Sequence, residues 1–234
     1  MNAGGGLPNA GGAAAARIYL VRHGRTVMNA EVRFRGRLEV PLDAVGRAEA
    51  LTTAQRLSTI GLTAAYTSPL ARAREVAIAI AATSRLSRVD DEEGLTNLDY
   101  GVWEGLTKEE CAAHDSEAFR IYAEDPERAV CPDGEALSVA ADRVVEALRS
   151  IGARHPGESV AAVTHGAMVR LAVLRVAGPS IGDWQFKLPT GSATIFEVQD
   201  GELSLVSPIN RLQPDPRKAA GATVDEPAPR AVAS

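Results

Sequence analysis

Cysteine is scarce in this chain. Its two thiols, Cys111 and Cys131, are too few for a disulfide framework and lack metal-ligand spacing; both are expected as buried thiols. Long apolar runs are also missing. No stretch approaches the roughly 20 apolar residues that cross a bilayer, so a membrane-spanning protein is excluded. Nor is there a surplus of basic charge: 25 Lys and Arg stand against 30 Asp and Glu, a net −5. That excludes a general nucleic-acid surface, and arginines that bind a ligand must act locally. Residues 1–16 are rich in Gly and Ala, with neither a basic stretch nor a continuous apolar core. They read as a flexible leader, not a signal peptide, and a reducing cytoplasmic location is expected.

What is present is a globular composition, 45% hydrophobic and 24% charged over 234 residues, enough for one well-filled core. Residues 212–234 mix Pro, Ala, Gly and charge without periodicity and are expected to be a disordered tail. One folded domain is left, residues 17–211.

Within that domain strand and helix signals alternate. Arg17–Val21 reads as a strand. Asp43 can cap a helix running to about Ile60, with Leu51, Ala54 and Leu57 on one face and Gly61 as its stop. A short strand over 64–67 precedes Pro69, which suits the first turn of a helix through about Thr83. Thr107 to Glu110 forms a capping box. Leu137, Ala140, Val144, Leu148 and Ile151 mark an amphipathic helix. A strand over Ser159–Thr164 leads into a helix from Ala167, and residues 194–198 and 203–206, joined across Asp200-Gly201, read as a hairpin. The expected fold is a three-layer α/β/α sandwich, with a mostly parallel central sheet and helices on both faces. Ligands gather at the carboxyl ends of strands in such sheets.

Two apolar runs end on His-Gly. Ile18 to Val21 runs into Arg22-His23-Gly24, and Val160 to Thr164 runs into His165-Gly166. A cation before the histidine draws in an anion, and a glycine after it allows a close approach of backbone and ligand. Basic residues around two such units point to phosphoryl transfer. Two arginines beside the imidazoles disfavour a divalent cation, and no further ligand cluster is supplied, so neither metal nor cofactor is expected.

The segment from Leu20 to Thr26, with Asn29 and Arg35-Gly36, resembles the opening signature of the histidine phosphatase superfamily, the clan of cofactor-dependent phosphoglycerate mutases and related phosphatases. The match continues through Pro41-Leu42, Gly46, Glu49-Ala50, Thr67 to Ala73, Asp99 to Gly105, Pro132 to Glu135 and Val163 to Gly166. The resemblance implies that His23 is the nucleophile that becomes phosphohistidine. It implies that Arg22, Arg72 and His165 hold the phosphate oxygens, with Asn29 as a further phosphate contact. Fixed cations suit a transition state that spreads negative charge over three equatorial oxygens. Arg25 and Arg35 are expected at the rim as steering charges, and His114 and His155 as surface histidines.

The family's usual proton donor is a glutamate two residues after the leucine that corresponds to Leu95. Here that position is Asn97. In an extended segment Asp99 faces the same side and is the expected general acid, with Glu104 the next carboxylate considered. The expected function is a metal-independent phosphomonoesterase acting on a small phosphorylated metabolite and releasing inorganic phosphate. The alternatives are a mutase or a catalytically weak phospholigand binder. A mutase is disfavoured because the short interval after Gly105 is acidic, with Glu109, Glu110, Asp115, Glu117, Glu124, Asp125 and Glu127, a poor enclosure for a triply charged substrate.

Overall fold

The computed structural model describes residues 14–178 and 184–206. Six strands form one sheet in the order β3-β2-β4-β1-β5-β6. These are β1 (Ala16–Arg22), β2 (Ala64–Thr67), β3 (Asp90–Asp91), β4 (Ser159–Thr164), β5 (Ala193–Gln199) and β6 (Glu202–Leu205). The first four run parallel, and β5 and β6 add an antiparallel edge. β4 lies between β1 and β2, although it follows both in the chain.

The central strands β1 and β4 are largely apolar because both of their faces are covered. Ile18 and Leu20 of β1, with Val160 and Ala162 of β4, belong to one core. That core includes Leu137, Val144, Leu148 and Ile151 of α6 (Leu137–Arg154), and Met168 and Leu171 of α7 (Gly166–Ala177). The alternate residues Tyr19, Val21, Ala161 and Val163 enter a second core with Ala50, Ala54 and Leu57 of α2 (Ala44–Leu57), and Val76, Ala77 and Ile80 of α3 (Ala71–Ser84). This period-two division makes the molecule a three-layer α/β/α sandwich.

Asp43 caps α2 by accepting from Gly46 N–H, and Thr107 and Glu110 close a capping box on α4 (Lys108–His114). Asp200 and Gly201 both adopt positive φ, as a two-residue primed turn demands. Two helix expectations are corrected. α2 ends at Leu57, and Leu51 is 59% exposed; Gly46, Ala50 and Thr53 share the buried face with Ala54 and Leu57. Small residues do the packing there because α2 lies close against α3, so hydrophobicity alone misplaces the stripe. At the amino end, Ala16 already belongs to β1 and Ala14 accepts a hydrogen bond from Gly157 N–H, so the strand starts inside the segment read as leader. The tail assigned to 212–234 lies outside the described residues. No helix of the described residues is long and apolar enough to cross a membrane.

Candidate active site

Parallel pairing of β2, β4 and β1 delivers their carboxyl ends to one edge. There the backbone ladder continues past the strands, with His23 N–H to Thr164 O and Ser68 N–H to Val163 O, both 2.9 Å. The two histidines emerge side by side, their ring centroids 5.2 Å apart and their planes inclined at 60°. Both are fully buried.

Each imidazole is held through one nitrogen and presents the other. His23 Nδ1 lies 2.6 Å from Gly24 O. A carbonyl only accepts, so the proton sits on Nδ1 and Nε2 keeps its lone pair; that atom is buried with no partner. His165 Nε2 lies 2.7 Å from Ser68 Oγ. Leu70 N–H donates to the same Oγ; when the hydroxyl gives its proton to Nε2, His165 carries its own proton on Nδ1, which has no partner. Burial, then the charges of Arg72, Arg35 and Arg22, hold His23 well below its ordinary value. Burial and Arg72 do the same to His165. At neutral pH His23 is therefore a neutral imidazole with a free lone pair beside fixed cations.

The arginines are clamped by the backbone. Arg72 donates to Leu38 O and Gly36 O, both at 2.7 Å, and Arg22 donates to Leu188 O. The Nε of each is buried and unpartnered. Burial pushes Arg22 down to about 9 and Arg72 to about 10, so both stay charged at neutral pH. Arg22 fits closely against α7, since a Cβ on Gly166 would lie 3.1 Å from its Nε. Of ten buried side-chain polar atoms without a partner among the described residues, six belong to Arg22, His23, Arg35, Arg72, Asn97 and His165. Five of those six residues supply a nitrogen. Such a buried set, with three guanidinium groups in it, suits an anion.

A cavity of about 260 Å³ borders this edge through Arg22, Asn97 and Gly166, while His23, His165 and Arg72 lie behind its lining. Asn29 also lines it; its Oδ1 accepts from Thr26 N–H and Oγ, which turns its amide NH2 outward to donate. Phe34, Tyr100, Tyr122 and Trp184 build an aromatic wall, with Phe34 and Tyr100 centred 4.6 Å apart and Tyr122 and Trp184 5.0 Å apart. Arg33, Arg35, Lys108 and Arg170 complete the lining with Arg22. No carboxylate stands among the described lining residues.

Several expectations change here. Asn97, in the glutamate's place, donates from Nδ2 to Gly36 O at 2.9 Å, beside Arg72 on the same carbonyl. Asp99 does not turn to the same side. Its Oδ1 accepts from Gly101 N–H at 2.9 Å and its Oδ2 pairs with Arg37 at 3.3 Å, because the chain turns at Tyr100-Gly101 into a single 3-10 turn over Gly101–Trp103. Glu104 accepts from Arg37 N–H. The acidic interval carries its charge outward: Glu117 and Glu124 are 66% and 62% exposed and flank Arg120, while Lys108 and Tyr122 from the same stretch face the cavity.

Arg25 is no steering charge but pairs with Asp43, and Arg35 lies inside the cavity, not on its rim. His155 is half-buried between Tyr66 and Glu158, whereas His114 is exposed. Gly24 meets not a ligand but the backbone of Gly46. Residues the sequence reading passed over include Arg170, five residues after His165 on α7, and Ser68 as the partner of His165. The one-turn spacing of Arg170 from Gly166 was the available signal.

A buried imidazole with a free lone pair, ringed by guanidinium groups at the carboxyl edge of a parallel sheet, defines a phosphoryl-transfer site. The chain belongs to the histidine phosphatase superfamily (branch 1), whose family model matches residues 18–211, and it is a phosphatase of that superfamily. It is similar to phosphoglycerate mutase-like protein 4 of Arabidopsis thaliana, 35% identical over 80% of this chain and 81% of the relative. It is also similar to a metal-independent phosphoserine phosphatase of the same plant, 34% identical over 78% and 76%. The solved structure of Bacillus stearothermophilus YhfR superposes with a TM-score of 0.76 at 31% identity, over 85% of this chain and all of that one.

Proposed function

We propose that the protein is a metal-independent phosphomonoesterase that removes the phosphoryl group of a small phosphorylated metabolite through a phosphohistidine on His23, with inorganic phosphate as the second product. With Nδ1–H held on Gly24 O, His23 Nε2 attacks phosphorus with its lone pair; the P–O bond to the leaving group breaks, and the bonding pair departs on the leaving oxygen, which takes a proton from solvent where it is basic. Arg22, Arg72 and His165 Nδ1–H hold the equatorial oxygens, and Asn29 adds a donor. Their contacts strengthen as charge spreads in the transition state. Water then attacks the phosphohistidine; the P–N bond breaks, the imidazole recovers its lone pair, and phosphate carries away the water's proton.

The observation that carries this reading is the unpartnered Nε2 of His23, fully buried beside unpartnered guanidinium nitrogens. A cavity of about 260 Å³ suits a small molecule. The test is hydrolysis of p-nitrophenyl phosphate with EDTA present, together with mass-spectrometric trapping of the phosphoenzyme. Turnover that survives EDTA and a phosphate mapped to His23 support the reading; unaltered turnover in His23→Ala overturns it.

One observation favours a second reading. The outward-facing acidic helices remove the electrostatic objection to a mutase, since the cavity itself is cationic. Conversion of 3-phosphoglycerate to 2-phosphoglycerate faster than phosphate release, with 2,3-bisphosphoglycerate supplied, would select it.

A further inference from the structure

The described wall of the cavity offers five positive side chains to a leaving group and no carboxylic acid to protonate it. Asn97 Oδ1 is buried, unpartnered and fixed in orientation, because Nδ2 is committed to Gly36 O. It can accept a hydrogen bond from water, but it has no proton to give. The neighbouring carboxylates are engaged elsewhere. Glu49 accepts from Arg25 N–H and the Thr190 hydroxyl, and Asp99 and Glu104 are held by Gly101 and Arg37. The hydroxyls of Tyr100 and Tyr122 lie 3.3 Å from each other, and burial pushes Tyr100 up to about 12, a poor acid at neutral pH.

Arg35 is the conspicuous group. It lines the cavity, its Nε is buried and unpartnered, and among the described residues it forms no ion pair. Its charge is felt by His23, His165, Arg22 and Arg72 on one side and by Tyr100 and Tyr122 on the other. A cation at that boundary stabilises charge on a departing oxygen, which is the work a proton donor would otherwise do.

We propose that this site expels its leaving group as an anion held by Arg35, and that its substrate is a phosphoric anhydride, an acyl phosphate or a terminal phosphoanhydride, whose carboxylate or phosphate departs without a proton. This rests on the phosphohistidine at His23 in the reading above, and replaces the phosphomonoester of that reading by an anhydride as the preferred substrate. In the first step the Nε2–P bond forms and the P–O bond to the leaving group breaks. The bonding pair stays on the leaving oxygen, where Arg35 balances the charge. Alkyl phosphates would leave as strongly basic alkoxides and need the missing acid, a loss of about 10² to 10⁴ in rate.

The experiment compares kcat/KM on acetyl phosphate and pyrophosphate with that on phosphoserine and glycerol 3-phosphate, in EDTA, for wild type, Asn97→Glu, Arg35→Gln and Arg35→Lys. Wild type is expected to favour the anhydrides by at least about 100-fold. Asn97→Glu, which installs an acid, narrows that ratio by raising the alkyl phosphates. Arg35→Gln narrows it by lowering the anhydrides, and Arg35→Lys recovers part of the loss. Alkyl phosphates turned over within about tenfold of the anhydrides by wild type overturn the proposal, and that comparison needs no variant to fold. Trapping on His23 separates the two claims: a labelled His23 with no anhydride preference sinks only this inference, whereas turnover without His23 labelling sinks the phosphohistidine reading beneath it.

Discussion

Gly24 and Gly46 pack backbone against backbone: a Cβ on Gly24 would overlap Gly46 O, and one on Gly46 would overlap Arg25 O. The contact joins the turn after His23 to the first turn of α2. Asp43 reinforces it by accepting from Gly46 N–H at 2.8 Å and from Arg25 Nε at 2.7 Å. Gly24→Ala and Gly46→Ala should each cost about 1–3 kcal/mol as overpacked positions. They should also lower kcat by displacing His23. Urea unfolding paired with p-nitrophenyl phosphate kinetics checks both effects; an unchanged unfolding midpoint in either variant contradicts the contact.

Acid should weaken the fold through the two buried imidazoles. His23 and His165 lie well below 6.5 in the native state, so between those depressed values and 6.5 the unfolded chain binds more protons. Stability therefore rises with pH through that window and levels off above about 6.5. The thermal midpoint should fall as pH drops from about 7 toward 5, and fall less in His23→Asn, which has one fewer group to protonate. Parallel curves for the two proteins would show that His23 does not titrate as described.

Ser68 is expected to act through His165. Ser68→Ala removes the acceptor and donor that fix the imidazole's tautomer, leaving His165 Nε2 unpartnered as well. We expect kcat to fall about tenfold or more, in the manner of lost oxyanion donors, with a smaller change in KM. Ser68→Thr, which retains the hydroxyl, should recover part of it. Equal losses in kcat and thermal stability for both variants would indicate damage to packing alone.

Arg143 holds the segment that carries Asn97. Its guanidinium donates to Thr96 O at 2.9 Å and Gly94 O at 3.0 Å, and pairs with Glu135 at 2.9 Å. Arg143→Ala leaves Glu135, only 12% exposed, with the more distant Arg37 and Asp99 N–H, strips several carbonyls of their donor, and should cost about 1–3 kcal/mol. Denaturant unfolding measures it; a cost below about 0.5 kcal/mol would place this clamp with ordinary surface pairs.

Much of this was legible in the sequence because strand ends announce themselves. Apolar runs closing on Arg22-His23 and Thr164-His165 give both the sheet and the edge where the imidazoles meet. Side-chain direction was harder to read. Asp99 was assigned by extended-chain alternation, yet the chain turns at Tyr100-Gly101 and aims it at Arg37. The acidic stretch from Glu109 to Glu127 reads as a negative lid only while its helices have no known orientation. Once folded, Arg33, Arg120, Arg128, Arg175 and solvent take the carboxylates, and Lys108 and Tyr122 take the cavity. Arg35 was undervalued for a related reason: an arginine in a loop reads as solvated, and only the aromatic wall around it shows otherwise.

The insertion of β4 between β1 and β2 has a temporal side. The sheet neighbours of β1 are β4 and β5, so none of them exists until Ser159 and the residues after it have been made. During synthesis His23 leaves the ribosome early and waits, its strand unpaired, for a segment more than half the chain away. A nascent polypeptide that stalls before β4 thus exposes an apolar ribbon and no phosphate cradle, and competence arrives late and all at once.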